Sequence, residues 1–110
     1  MRRGEIWWAD LPAPLGRRPV VLLSRNAAYR VRELVTIAPV TTRVRSIASE
    51  VAIGAEEGLP KAGAANLDSI TMIPKRSLTT RVAMLPPHKL EALERALHFS
   101  LGLACGRRAL

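Results

Sequence analysis

Residues 16–42 read GRRPVVLLSRNAAYRVRELVTIAPVTT. Two apolar runs stand inside this stretch, at 20–23 and 34–40, each about the length of one strand. Arg18 stands at the mouth of the first run, and Thr41 and Thr42 close the second. Around them lie seven arginines (Arg17, Arg18, Arg25, Arg30, Arg32, Arg43 and Arg45) against one acid, Glu33. Apolar strands with cationic and hydroxyl groups confined to their ends imply a core scaffold with a phosphate-facing rim.

Arg18 is the residue most firmly placed. A residue before proline is pushed into extended geometry, and Pro19 has no N–H for a ladder, so Arg18-Pro19 marks a loop-to-strand junction. The VVLL run that follows is apolar on both alternating faces, as in a strand buried on both sides. Arg18 then hangs at the rim while the core holds its backbone. Two readings stay open at this point, a phosphate-binding arginine and a solvated strand start.

At 110 residues the chain is expected to form one domain, 1–110, with a core that needs neither disulfide nor metal. Hydrophobic residues make up 48% and charged residues 24%, which excludes disorder. Seventeen basic against nine acidic residues leave a net charge of +8, which favours a polyanionic partner. No apolar run approaches the ~18 residues of a membrane span. MRRGEIWW enters a strand-like pattern directly, with no signal-peptide core, so a cytoplasmic protein without membrane attachment is expected. A single cysteine, Cys105, permits no internal disulfide, suggests no metal site and is read as incidental.

Strands are expected at 4–11, 19–24, 34–40, 50–53, 66–73 and 81–85. Trp7 and Trp8 must face opposite sides of the first strand, one towards the core and one nearer the surface, where a base could stack. Residues 25–32 read as a polar connection, 43–45 as a basic turn and 62–65 as featureless. Pro39 should break pairing on one side of its strand just before Thr41. Pro86-Pro87 opens one helix over 87–101, with Leu90, Leu93, Leu97 and Leu101 on a single stripe and Gly102 as its stop. Five or six short strands and a C-terminal helix predict a mostly β fold, a small, bent, mainly antiparallel barrel.

Catalytic chemistry narrows by subtraction. The acids are scattered, and no spacing suits a metal. His88 and His98 both fall on the helix, about 80° apart around its axis and about 15 Å along it, too far for joint acid–base work on one phosphate. No nucleophile elbow or P-loop is present. Arginine and hydroxyl chemistry on a basic surface suits transesterification of RNA, where the 2′-hydroxyl is itself the nucleophile. The protein must then align that oxygen, neutralise charge on the phosphorane and help a proton reach the leaving 5′-oxygen. A guanidinium grips phosphate oxygens in a bidentate manner, and a threonine hydroxyl donates to the same group. Neither is a base at neutral pH.

The order of motifs is R-G-E-I-W at 3–7, R-P-V-V at 18–21, P-V-T at 39–41, L-D-S-I at 67–70 and S-L-G-L at 100–103. It resembles the MazF/PemK family, toxins of type II toxin–antitoxin modules. The resemblance implies an SH3-like barrel plus helix of the MazF/CcdB toxin type and a two-fold homodimer. The terminal helix and nearby strands are the candidate interface, the alternative being that the Leu90, Leu93 and Leu97 stripe only covers the barrel end. It implies a cofactor-free, metal-independent, sequence-selective endoribonuclease that cuts single-stranded RNA to a 2′,3′-cyclic phosphate and a 5′-hydroxyl. It further implies a cognate antitoxin whose acidic, flexible tail lies over the RNA groove. Arg18 and Thr41 take the places of the family's catalytic pair. RNA contact is expected from Glu5, Trp8, Arg17, Thr42, Arg43, Asn66, Asp68 and Arg76. The chain departs from a D-Q-I-R-T-I-D pattern of many relatives: it keeps Asp68 but has Ser69, Thr71 and Pro74 in place of glutamine, arginine and the last aspartate. It also carries Asn66 where some relatives have arginine, and Arg76 is a candidate replacement. The loop between the first two strands is shorter than in many members. Two alternatives differ in mechanism: a CcdB-like toxin that binds gyrase, and a basic module, or degenerate toxin, that binds nucleic acid without chemistry.

Overall fold

The second strand sets the architecture. In β2 (Arg17–Leu22), Val20 and Leu22 enter an apolar cluster with Ala9, Val35, Ile37 and Ile73. Val21 and the following Leu23 enter a second cluster with Ile6, Ala38, Val40 and Leu93. A strand apolar on both faces has to be covered on both, and β2 lies inside the sheet. The computed structural model describes residues 1–103, and Cys105 lies outside them.

The other strands are β1 (Glu5–Asp10), β3 (Leu34–Thr41), β4 (Glu50–Ile53), β5 (Gly63–Asn66), β6 (Thr71–Pro74) and β7 (Leu78–Met84). Their order across the sheet is β4-β5-β3-β2-β1-β7, with β6 paired to the first half of β3, and all six pairings are antiparallel. Register shifts between β1 and β7, at Ile6/Trp7 and Trp8/Ala9, bend the sheet at that end. The result is a strongly curved half-barrel of the SH3-like type with one helix packed on it.

That helix, α2 (Pro87–Leu101), has the predicted bounds. Proline at its start costs no hydrogen bond, and Gly102 ends it at φ +69°, where a side chain would be strained. Leu93 is buried in the second cluster, Leu90 and Leu97 pack against it, and Leu101 has run off the stripe into solvent. Burial of a leucine such as Leu93 is worth about 2 kcal/mol. At the N-terminal end of α2, Lys89 Nζ bonds the buried Glu57 carboxylate at 2.8 Å and the Ala52 carbonyl at 2.7 Å.

Several sequence expectations need correction. Residues 62–65 are not featureless: Gly63–Asn66 form β5, between β3 and β4. Their smallness is a packing requirement, since a Cβ on Gly63 would come within 2.7 Å of the Thr41 carbonyl oxygen. The single strand expected at 66–73 is broken. Asn66 ends β5, its Oδ1 accepts the Asp68 N–H at 2.9 Å, and a 3-10 turn over Leu67–Ser69 precedes β6. Leu67 and Ile73, which one unbroken strand over 66–73 would put on a single face, belong to opposite clusters. The connection at 25–32 contains a short helix, α1 (Ala28–Val31), whose Tyr29 packs in the first cluster. The last strand starts at Leu78 and not at Arg81. Trp7 and Trp8 do lie on opposite faces, yet both are half-buried, because this sheet has a core on each side. Pro39 lies within β3, where the partner on one side changes from β6 to β5.

Candidate active site

β2 and β3 pair with Val20 opposite Pro39 and Leu22 opposite Ile37. The same register carried two residues further sets Arg18 across from Thr41. Side chains alternate along a strand, so Arg18 shares a face with Val20 and Leu22, and Thr41 with Ile37 and Pro39. That face carries the first apolar cluster, and the two polar residues stand where the cluster opens at the sheet's rim.

A groove of about 590 Å³ lies there. Leu11, Leu15, Ile37 and Pro39 supply its apolar lining, and Arg18 and Thr41 sit together beside them. The loop after β3 brings in Arg43 and Arg45, and the turn after β5 brings in Asn66 and Ser69, with Thr71 from the start of β6. The ionisable groups of this lining are three arginines, with no carboxylate and no imidazole. Arg18 Nε is buried and donates to no protein group. An unsatisfied buried donor is costly, and an anion in the groove would satisfy it. Thr41 Oγ1 accepts the Arg43 N–H at 3.0 Å, which occupies a lone pair and leaves the hydroxyl hydrogen for a ligand.

The loop that carries Arg43 and Arg45 is held by Glu50. Its carboxylate accepts the backbone N–H groups of Arg45 (2.9 Å) and Ser46 (3.0 Å) and pairs with Arg45 Nε at 3.4 Å. Burial acts to raise the Glu50 pKa, but these donors outweigh it and hold the carboxyl below its ordinary range. The loop is also tied to the opposite wall: Ser49 Oγ donates to Asp68, and the Ser49 carbonyl accepts the Leu67 N–H at 2.8 Å. Both walls are therefore pre-positioned.

The residues expected to contact RNA separate into groups. Arg43 and Asn66 line the groove with Arg18 and Thr41. Trp8 and Thr42 border a smaller pocket, about 170 Å³, with Pro19, Val40, Leu59 and Pro60. Strand alternation puts that pocket on the opposite face from Arg18. Arg17 lies over the Trp8 ring, 4.4 Å from its centroid, and so covers one stacking surface. Asp68 orders the Leu67–Ser69 turn and does not line the groove. Arg76 is exposed beyond β6, also outside the groove. Glu5 is buried away from the groove, where it accepts Trp7 Nε1–H at 2.9 Å and pairs with Arg81 at 3.3 Å. Burial raises its pKa, but Trp7 and Arg81 more than compensate and lower it overall. Arg45, Ser69 and Thr71 are groove residues that the sequence reading did not single out as contacts. Arg45 had a signal in its basic turn, whereas Ser69 and Thr71 registered only as departures from a family pattern.

Among the described residues no three His, Cys, Asp or Glu side chains gather into a metal site. No helix is long and apolar enough to cross a membrane, again among the described residues.

The family model for PemK-like, MazF-like toxins of type II toxin–antitoxin systems matches residues 2–101. The chain belongs to this toxin family. A relative named probable endoribonuclease MazF5, from Mycobacterium tuberculosis, is 38% identical over 100 residues, 90% of this chain and 91% of the relative. The solved Mycobacterium tuberculosis toxin MazF-mt6 superposes with a TM-score of 0.84 at 31% identity, covering 92% of this chain and 99% of that one. A mycobacterial endoribonuclease solved in complex with its cognate antitoxin gives the same TM-score at 30% identity, covering 96% and 98%. The SH3-like toxin barrel expected from the motif order is thus the fold of this MazF-like chain.

Proposed function

We propose that this MazF-like toxin is a metal-independent endoribonuclease acting on single-stranded RNA, with Arg18 and Thr41 as its catalytic residues. The observation that carries the proposal is their presence in one groove whose charged lining is wholly arginine. The substrate's 2′-oxygen attacks phosphorus, the bond to the 5′-oxygen breaks, and the products are a 2′,3′-cyclic phosphate and a 5′-hydroxyl. Arg18 donates its fork of N–H groups to the non-bridging oxygens, where charge grows as the phosphorane forms. Thr41 donates its hydroxyl hydrogen to the same group. Arg43 and Arg45 hold flanking phosphates and so align the attacking oxygen. The groove lining holds no carboxylate or imidazole to act as general base or acid, so the 2′-proton leaves to solvent and the 5′-oxygen is protonated from it.

The same cationic lining suits an acidic antitoxin segment as a competitive occupant, since both ligands present a row of negative charges. A homodimer is part of the proposal. The exposed Phe99 and Leu101 at the end of α2 are apolar surface that an interface would cover.

The deciding experiment is cleavage of a labelled single-stranded RNA pool in EDTA, with products typed at both ends. Wild-type protein should give cyclic phosphates and 5′-hydroxyls. Arg18→Ala and Thr41→Ala should each lose at least about a hundredfold in rate with unchanged circular dichroism. Full activity in either variant rejects the assignment of that residue. A strict need for Mg²⁺ rejects the mechanism, and RNA binding without product marks a non-catalytic module.

A further inference from the structure

We infer that Asn66 and Ser69 form a base-reading pair in the groove, selecting a nucleobase that presents two adjacent hydrogen-bond acceptors. The inference rests on the nuclease assignment above and concerns which base lies beside the reacting phosphate.

Asn66 closes β5, and its amide orientation is fixed chemically. Oδ1 accepts the Asp68 backbone N–H at 2.9 Å, and a backbone N–H can only donate, so the amide nitrogen must lie on the other side. That nitrogen donates one hydrogen to Ser69 Oγ at 3.1 Å. One Nδ2–H is then left on Asn66. Ser69 Oγ, already an acceptor for Asn66, has its own O–H to give. Both residues line the groove that holds Arg18 and Thr41. The turn that presents them is clamped from below through Ser49, by the Leu67 N–H and the Asp68 carboxylate. A neutral donor pair on a clamped turn differs in kind from the three arginines. Cationic groups hold phosphates whatever the sequence, whereas fixed neutral donors discriminate base edges.

Two neighbouring donors match guanine at N7 and O6, or cytosine at N3 and O2. Adenine and uracil present a donor beside each acceptor on the corresponding edges, so one of the two protein hydrogens would face another hydrogen. Ser69 and Asn66 are therefore specificity residues, distinct from the pair that acts on phosphorus.

The test is sequencing of 5′-hydroxyl ends from a randomised single-stranded RNA cut by wild type, Ser69→Ala and Asn66→Ala. Ser69→Ala leaves the Asn66–Asp68 turn intact and is the cleaner variant. Wild type should favour guanine or cytosine at one position next to the cut. Both variants should still cleave, with that preference reduced about tenfold. Substrates carrying 7-deazaguanine or 3-deazacytosine at that position separate the two bases, and the one that is read should lose the same preference. The inference is overturned if the variants keep the wild-type preference. It is equally overturned if wild type favours adenine or uracil at every flanking position, or if folded Ser69→Ala stops cutting altogether. Absence of cleavage by wild type would overturn the nuclease assignment and this inference with it, whereas unchanged preference with normal cleavage removes this inference alone.

Discussion

Arg18 is held in a way that separates charge from shape. Its Nε lies buried without a protein partner, and its strand position is locked by Pro19 and by Val20 in the core. A lysine there would keep the positive charge but lose the planar fork, and its ammonium could meet only one phosphate oxygen well. Arg18→Lys should therefore retain RNA affinity within about threefold while the single-turnover cleavage rate falls about tenfold to a hundredfold. Equal losses in binding and rate would show that Arg18 only anchors the substrate. The sequence marks this residue because a pre-proline position before an apolar run is a local signal. Its meeting with Thr41 depends on the β2–β3 register, which no local pattern states. Glu5 shows the opposite case. Its assignment as an RNA contact came from the motif order alone, and its burial against Trp7 and Arg81 follows from β1 pairing with a strand more than seventy residues away.

At the scale of elements, legibility follows the range of the cause. α2 could be bounded to the residue because proline, a 3.6-residue apolar period and glycine are all signals within one helix. β5 could not, because Gly63, Ala64 and Ala65 are chosen by the crowding of β3 against them, and small residues carry no strand signature. The docking of α2 brings a pH dependence. Glu57 is buried, accepts the Gly54 N–H at 2.7 Å and pairs with Lys89 at 2.8 Å. Burial raises its pKa, but Lys89 and the Gly54 amide outweigh that and depress it. A carboxylate with a depressed folded pKa contributes stability that is fully present above its ordinary value, about 4.3, and is lost as pH falls through the folded value. Thermal melts should therefore drop steeply below about pH 4.5. Glu57→Gln should flatten that acid limb while lowering the melting temperature at pH 7. An acid limb identical to wild type would mean that Glu5 and Glu50, shifted in the same direction, account for it instead.

For the molecule as a whole, the question is whether RNA responds to the net charge of +8 or to the groove. The basic residues are not all in one place. Arg18, Arg43 and Arg45 line the groove, whereas Arg2, Arg3 and Arg25 gather around a separate pocket towards the other end of β2. Counterion release counts only phosphates that are actually neutralised, with a log–log salt slope of about −0.7 per contact on single strands. Three groove arginines predict a slope of about −2 for a short, uncleavable 2′-deoxy oligonucleotide. The value should fall slightly short of that, because Arg45 is already shared with Glu50. Arg43→Ala should flatten the slope by about 0.7, and Arg25→Ala should leave it unchanged. Fluorescence anisotropy between low and moderate salt reads both changes directly. A slope near −5, or equal flattening by the two substitutions, would mean that RNA spreads over the whole basic surface and that the groove is not its principal seat.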